Sequence, residues 1–192
     1  MKIKKVKDEI RAIGIDDAPF IPHTEGTTRV FGVITRGNNR IEGIEQTNIE
    51  IDGVDATKKI GQMILKSNHC DQIRVILLNG ITYGGFNVCD VDELEKITNK
   101  PVITVIEHKP NMESIKAALE KNQIDWETKW NIFEKAHIQE IIMKKDVKPL
   151  YVHYSDGLTL DIVKKILEKT IQISHIPECI RIAHLIGASF IK

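Results

Sequence analysis

Two nearly continuous apolar runs constrain the fold of this chain more than any other feature of its sequence. Residues Ile73–Leu78 and Pro101–Ile106 are short, rich in β-branched residues and almost free of charge. Such runs are typical of strands buried on both faces, as in parallel sheets. The segment between them, from Asp90 to Ile97, has helical spacing, and a helical crossover is what two parallel strands require. The chain is therefore expected to contain βαβ units.

An antiparallel meander is predicted to precede these units. Its three strands are Ile10–Ile15, Arg29–Thr35 and Ile41–Ile51, and the turn formers Gly37, Asn38 and Asn39 separate the last two. Helical spacing then begins behind Asp55. Further along, the pattern predicts a strand at Leu150–Tyr154 and four more helices, at Pro110–Leu119, Asp125–Ala136, Leu158–Leu167 and Pro177–Ile191. The fold class is thus α/β, a mixed sheet with an antiparallel meander, then parallel strands, and helices on both faces.

Composition limits the class of protein. The 192 residues fit one domain, residues 1–192, and 27 basic side chains balance 27 acidic ones, which excludes a strongly basic coat for nucleic acid. No stretch reaches the roughly 18 apolar residues of a membrane helix. The three cysteines cannot all pair within one chain, which favours a reducing compartment. We expect a cytoplasmic protein without a membrane partner.

Carboxylates follow strands that the topology brings together. Asp16 and Asp17 end the first strand, Asn79 and Gly80 end the fourth, and the carboxyl ends of parallel strands meet at one edge of a sheet, where ligands bind. Carboxylate and amide oxygens at such an edge suit Mg²⁺. The alternative is that the two aspartates cap the following turn.

Asp52 and Asp55 stand between the third strand and the first helix. Either could supply a further carboxylate to the same edge. Asp55 could equally be a simple helix cap, and Asp52 with Gly53 is a common turn pair.

Two further segments could contact a substrate. The loop from Gly80 to Asn87 (the glycine loop) includes Tyr83, Gly85 and Phe86. It is either a tight turn or a flat surface on which a base stacks. It matches no dinucleotide or P-loop motif, so those classes are disfavoured. In the last helix Glu178, Arg181 and His184 form one stripe. That stripe is either solvated or part of a supporting network in which Arg181 or His184 faces a substrate phosphate.

These motifs together resemble an archaeal family of uncharacterised proteins, the domain of unknown function 99 family, over nearly the whole chain. That family in turn resembles endonuclease V, which has the ribonuclease H fold and cuts nucleic acid near deaminated adenine with magnesium. The segments that carry the resemblance are Gly14–Phe20, Asp52–Thr57, Asn79–Ile81, Gly85–Asn87, Pro101–Ile103, Ile176–Glu178 and Arg181–His184.

The resemblance assigns roles residue by residue. Asp16 matches the first-strand aspartate of endonuclease V, and Asp55 is the nearest candidate for its second carboxylate, with Asp52 as the rival. Asn79 stands where its third carboxylate would be. Glu107 replaces a lysine, and Asp156 replaces a histidine.

The resemblance implies a nuclease or phosphodiesterase that uses Mg²⁺ or Mn²⁺. Asp16 and Asp55 would hold the metal ion with help from Asn79 and Asp156, and Asp17 would support them from behind. The substrate would be DNA or RNA. Two alternatives remain open: a catalytically inactive nucleic-acid-binding or regulatory protein on the same fold, and a nucleotide binder that uses the Gly80–Asn87 loop.

Overall fold

The computed structural model describes residue 3, residues 5–143 and residues 148–190. Its main feature is a seven-stranded sheet with the order β3-β2-β1-β4-β7-β9-β8. The strands of this sheet are β1 (Arg11–Asp17), β2 (Thr27–Arg36), β3 (Arg40–Glu50), β4 (Val75–Asn79), β7 (Val102–Ile106), β8 (Gln139–Ile141) and β9 (Leu150–Tyr154). Two short strands, β5 (Thr82–Tyr83) and β6 (Asn87–Val88), form a separate hairpin.

The strand directions confirm the predicted fold class. Strands β1, β2 and β3 form an antiparallel meander, and β1, β4 and β7 run parallel to one another. Strand β9 runs antiparallel to β7, so its end lies at the edge where β1, β4 and β7 begin. This reversal determines where the residues after Tyr154 lie.

Helices cover both faces of the sheet. They are α1 (Ala56–Lys66), α2 (Val91–Thr98), α3 (Met112–Asn122), α4 (Trp126–Lys135), α5 (Leu160–Thr170) and α6 (Glu178–Ala188). One apolar core joins α1, α2, α3 and α4 to the sheet, and a second core joins α5 and the start of α6 to its other face. The predicted helix Pro177–Ile191 is therefore present as α6, and Ile191 lies outside the described residues. In the part of the chain that the structure describes, no helix is both long and apolar enough to cross a bilayer.

Alternation along β1 divides its side chains between the two faces. Ile13 and Ile15 join the core beneath α1, whereas Gly14 lies directly under α6. A Cβ atom on Gly14 would lie 2.4 Å from backbone atoms of Cys179 and Ile180. The missing side chain thus lets the start of α6 touch the backbone of β1.

A second glycine fixes the other end of α6 on the same strand. A Cβ atom on Gly187 would lie 2.6 Å from the carbonyl oxygen of Asp17. Helix α6 therefore follows β1 closely from Gly14 to Asp17, which sets the height of its side chains above the strand end.

We predict that Gly187→Ala lowers the free energy of unfolding by roughly 1–3 kcal/mol, because the added methyl group must push α6 away from β1. Helix propensity alone predicts a gain of up to about 1 kcal/mol from the same substitution. Urea denaturation followed by circular dichroism shows whether the free energy of unfolding falls or rises. A more stable variant would show that α6 is not held this tightly.

Candidate active site at the carboxyl ends of the central strands

Asp16 is the centre of the candidate site. Its side chain faces α6 from the end of β1 and is buried. Its Oδ1 accepts a hydrogen bond of 3.0 Å from Nδ2 of Asn79, the last residue of β4. Its Oδ2 lies 2.9 Å from Nδ1 of His184 on α6. Two parallel strands and one helix therefore converge on a single carboxylate.

Burial dominates the electrostatics of this carboxylate. It raises the pKa of Asp16, and the hydrogen bonds from Asn79 and His184 oppose that rise without cancelling it. The His184 side chain is 63% exposed. With Nδ1 turned to Asp16, its Nε2 is the ring nitrogen that remains for water or a substrate.

Asp17 faces the opposite side of the sheet. Its Oδ2 accepts a hydrogen bond of 2.6 Å from the backbone N–H of Gly84, the residue after β5. Burial raises the pKa of Asp17 to about 6, and the nearby charge of Asp16 adds to the rise. Asp17 therefore holds the glycine loop through this hydrogen bond, and it does not share a metal-ligand set with Asp16.

Tyr83 belongs to the same loop and points into the core. Its ring is fully buried, so it is not exposed to a base, although the sequence predicts a substrate contact for it. Its hydroxyl faces the backbone of Asn79 and has no hydrogen-bond partner of normal geometry among the described residues. Burial and the neighbouring carboxylates of Asp16 and Asp17 raise the pKa of Tyr83 well above its usual value.

Asp52 closes the glycine loop from the other side. It has a positive φ of 56°, its backbone N–H donates to the carbonyl of Gly84, and its Oδ1 accepts from the backbone N–H of Phe86 at 2.8 Å. Any Cβ on Gly85 would lie 2.3 Å from that same Oδ1. Gly85 is thus required for loop closure, and Phe86 packs partly buried against the core beneath α1. Gly80 begins the loop with a φ of 73° and open space where a side chain would be.

Asp55 is engaged by its own neighbours. Its Oδ1 accepts hydrogen bonds from Nδ2 of Asn87 at 2.7 Å and from the backbone N–H of Glu50 at 3.1 Å. Asn87 is buried, and its Oδ1 accepts from the backbone N–H of Ala56 at the start of α1. Sequence reasoning passed over Asn87, whose side chain joins the end of β3, the start of α1 and the glycine loop.

Asp156 lies at the opposite edge of the sheet from Asp16. Tyr154 is level with Ile103, and through β4 that level corresponds to Gly14. Asp156 lies two residues from this level toward the amino ends of the parallel strands, whereas Asp16 lies two residues from it toward their carboxyl ends. The separation is roughly 13 Å along the strands and about 14 Å across them. The structure does not bring Asp156 to Asp16.

Arg181 is held on the surface of α6. Its guanidinium makes three hydrogen bonds with the buried carboxylate of Glu178, the shortest at 2.7 Å. Glu178 also accepts from the backbone N–H of Ile173. The predicted stripe on α6 is thus real, and its first two members bond to each other.

Oxygen ligands are present, but they do not form a ready cage. Among the described residues, no three side chains of the His, Cys, Asp or Glu type lie close enough to share a metal ion. Asp16 and Asn79 provide a carboxylate and an amide, which is a sparse set that waters and substrate phosphates must complete.

Comparison with known proteins places these residues in a family. The family model described as endonuclease dU matches residues 8–191. A UPF0215 protein of Methanothermobacter thermautotrophicus is 40% identical over 185 residues, which span 96% of this chain and 89% of that protein. Another UPF0215 protein, from Methanopyrus kandleri, is 35% identical and spans 100% of this chain and 96% of its own. The predicted archaeal family is confirmed.

Solved structures share the fold. A protein of unknown function from Archaeoglobus fulgidus is 33% identical, with a TM-score of 0.83 over 94% of this chain and 98% of that one. Endonuclease V of Bacillus subtilis is 16% identical, with a TM-score of 0.63 over 93% of this chain and 79% of that one. Endonuclease V of Ciona intestinalis, solved with a 24mer DNA containing an inosine followed by a ribo-adenosine, has a TM-score of 0.58 at 14% identity over 90% and 82% of the two chains. The predicted resemblance to endonuclease V is thereby confirmed for the fold.

We predict that Asp17→Asn stabilises the protein at neutral pH. The folded pKa of about 6 exceeds the ordinary aspartate value of 3.8, so folding favours the protonated form, and stability is lost as the pH rises from about 4 through 6. Asparagine removes the buried charge and still accepts from Gly84, for a gain of up to about 3 kcal/mol above pH 7.

Urea denaturation at pH 4 and pH 8, in the presence of a chelator, measures this gain. The variant and the wild type should differ least at pH 4. An equal difference at both pH values would contradict the assignment of the effect to the charge of Asp17.

Proposed function

Because the chain belongs to the endonuclease dU family, whose model matches residues 8–191, we propose that it is a nuclease that hydrolyses a phosphodiester bond of nucleic acid at Asp16. The observation that carries the proposal is the position of this carboxylate. It is buried at the carboxyl end of a central strand, where α/β proteins bind ligands, and it contacts an exposed imidazole.

His184 is the proton acceptor in this proposal. The Nδ1–H of the ring donates a hydrogen bond to the carboxylate of Asp16. This bond orients the imidazole and leaves Nε2 as the basic atom. Nε2 takes a proton from the attacking water, and the carboxylate of Asp16 balances the charge that develops on the ring. Asn79 holds the carboxylate in place from β4 through its amide.

A magnesium or manganese ion would be held at this site by Asp16 and Asn79. The carboxylate oxygens of Asp16 and the amide oxygen of Asn79 are hard ligands of the type that Mg²⁺ selects together with phosphate oxygens, and Asn79 would have to turn its amide and give up its hydrogen bond to Asp16. Such an ion would stabilise negative charge on the phosphate. Asp55 would join only after giving up its hydrogen bonds to Asn87 and Glu50.

Deaminated DNA is the substrate class to test first. The family description names deoxyuridine, and endonuclease V of Ciona intestinalis was solved with inosine-containing DNA. Both bases arise by loss of an amino group. Matched oligonucleotides that contain one deoxyuridine, one deoxyinosine or neither, as single and double strands, therefore separate the possible preferences.

We expect wild-type protein to cleave one of the deaminated oligonucleotides, and Asp16→Asn to lower the rate by at least about 100-fold. His184→Ala should lose a similar factor. Asp161→Asn, an exposed carboxylate in the first turn of α5, is the matched control and should cleave like the wild type. Gel analysis of labelled strands measures the rates, and full activity in Asp16→Asn would refute the proposal.

Metal binding is tested separately by thermal unfolding. We expect millimolar Mg²⁺ or Mn²⁺ to raise the melting temperature of the chelator-treated wild type, because an ion that binds only the folded state stabilises it. Asp16→Asn should respond much less, and Asp161→Asn should respond fully. Equal responses in all three proteins would place any ion elsewhere.

One observation favours a second candidate, a binding protein that does not cleave. Among the residues that the structure describes, Asp16 is the one carboxylate of the site, since Asp55 bonds to Asn87 and Asp156 lies at the far edge. Retention of an oligonucleotide by wild-type protein without product, with and without added metal, would select this candidate.

A further inference from the structure

A second carboxylate–imidazole pair lies just beyond the end of β7. Nε2 of His175 is 2.5 Å from Oε1 of Glu107. Glu107 follows the end of β7, and His175 belongs to the connection between α5 and α6. Both side chains are partly exposed, at 35% for His175 and 42% for Glu107. The pair thus resembles that of Asp16 and His184. In each pair a carboxylate at the end of a strand contacts a histidine, which lies in α6 in the first pair and just before α6 in the second.

The strand register gives the position of Glu107 relative to Asp16. Ile15 is level with Leu78, and Asn79 is level with Val105, so Glu107 lies two strands from Asp16 and two residues further out. Those spacings put the Cα atoms of Asp16 and Glu107 roughly 12 Å apart. Val105 belongs to the core on the α5–α6 face of the sheet, and Glu107, two residues further on, faces the same side, so a phosphodiester group bound above this face lies between the two pairs.

The segment that carries His175 is firmly anchored. Ile171 and Pro177 form an antiparallel bridge across its base. The buried carboxylate of Glu178 accepts from the backbone N–H of Ile173, and Ser174 bonds to the backbone of Ile176. The backbone that carries His175 is therefore held on both sides of this residue.

We propose that His175 is the general acid of the phosphodiester cleavage, with Glu107 as the residue that orients it. This rests on the proposed function of the Asp16 site. Glu107 accepts the Nε2–H of the ring, so the proton that His175 transfers is the one on Nδ1. The carboxylate also balances the positive charge of the doubly protonated ring.

The step balances without any further reactant. Water forms the new bond to phosphorus and gives one proton to Nε2 of His184. The bond between phosphorus and the leaving oxygen breaks, and that oxygen takes the Nδ1 proton of His175. Exchange with solvent then returns His184 and His175 to their starting states.

A substrate with sulfur in place of the leaving oxygen tests this role. A thiolate leaves without protonation, so loss of a general acid no longer matters. We expect His175→Gln to lower kcat on the ordinary oligonucleotide by roughly 100-fold or more with little change in KM. On the sulfur substrate, its kcat should be within a few-fold of the wild type. The bond cleaved in the ordinary oligonucleotide, mapped first with wild-type protein, decides which bridging oxygen is replaced.

Two further variants test the orienting role of Glu107 and control for a general effect of substitution in this region. Glu107→Gln should show the same pattern with a smaller loss, because a glutamine oxygen still accepts the Nε2–H. His108→Gln changes the exposed neighbouring histidine and should match the wild type on both substrates. Melting temperatures confirm that each variant is folded.

The outcomes separate this proposal from the proposed function. If wild-type protein cleaves neither substrate, the proposed function has failed. If it cleaves and His175→Gln keeps full activity, His175 is not the acid. An equal loss on the oxygen and sulfur substrates would also overturn the proposal, because it would show that His175 only supports the fold of the site.

Discussion

The direct contact between α6 and β1 is the constraint on which the candidate site depends. Gly14 and Gly187 remove the side chains that would separate the helix from the strand, so α6 lies on the backbone of β1 along its second half. His184 then reaches Asp16 from above with no room for an intervening side chain. Residues far apart in the sequence meet here because two glycines fix the height of one helix.

The site differs in kind from a cluster of carboxylates. Asp16 is surrounded by an amide and an imidazole, and the other aspartates near this edge hold backbone amides instead: Asp17 holds Gly84, Asp52 holds Phe86 and Asp55 holds Glu50. Buried carboxylates need hydrogen-bond donors, and the glycine loop offers donors at close range. Asp16 is thus the acidic residue available for catalysis, whereas Asp17, Asp52 and Asp55 hold the backbone in place.

Periodicity predicted the longer strands and the helices because burial on one or both faces leaves a direct trace in the sequence, but it missed the short strands β5, β6 and β8, which have too few residues to show a period. It also placed Asp16 and Asn79 together, since their strands are neighbours in a topology with few alternatives. It gave no direction for the strand at Leu150–Tyr154, so the distance of Asp156 from Asp16 could not be foreseen. The pairing of Glu107 with His175 depends on a loop path that no local pattern records.

Adjacent positions in β1 serve opposite sides of the sheet. Asp16 meets His184 under α6, and Asp17 meets Gly84 beneath the glycine loop. Loss or gain of one residue within this strand, ahead of the two aspartates, would turn each of them to the other face of the sheet while leaving the composition almost unchanged. A change in strand length therefore removes the contacts to His184 and to Gly84 at once, whereas a substitution at either position removes only one of them.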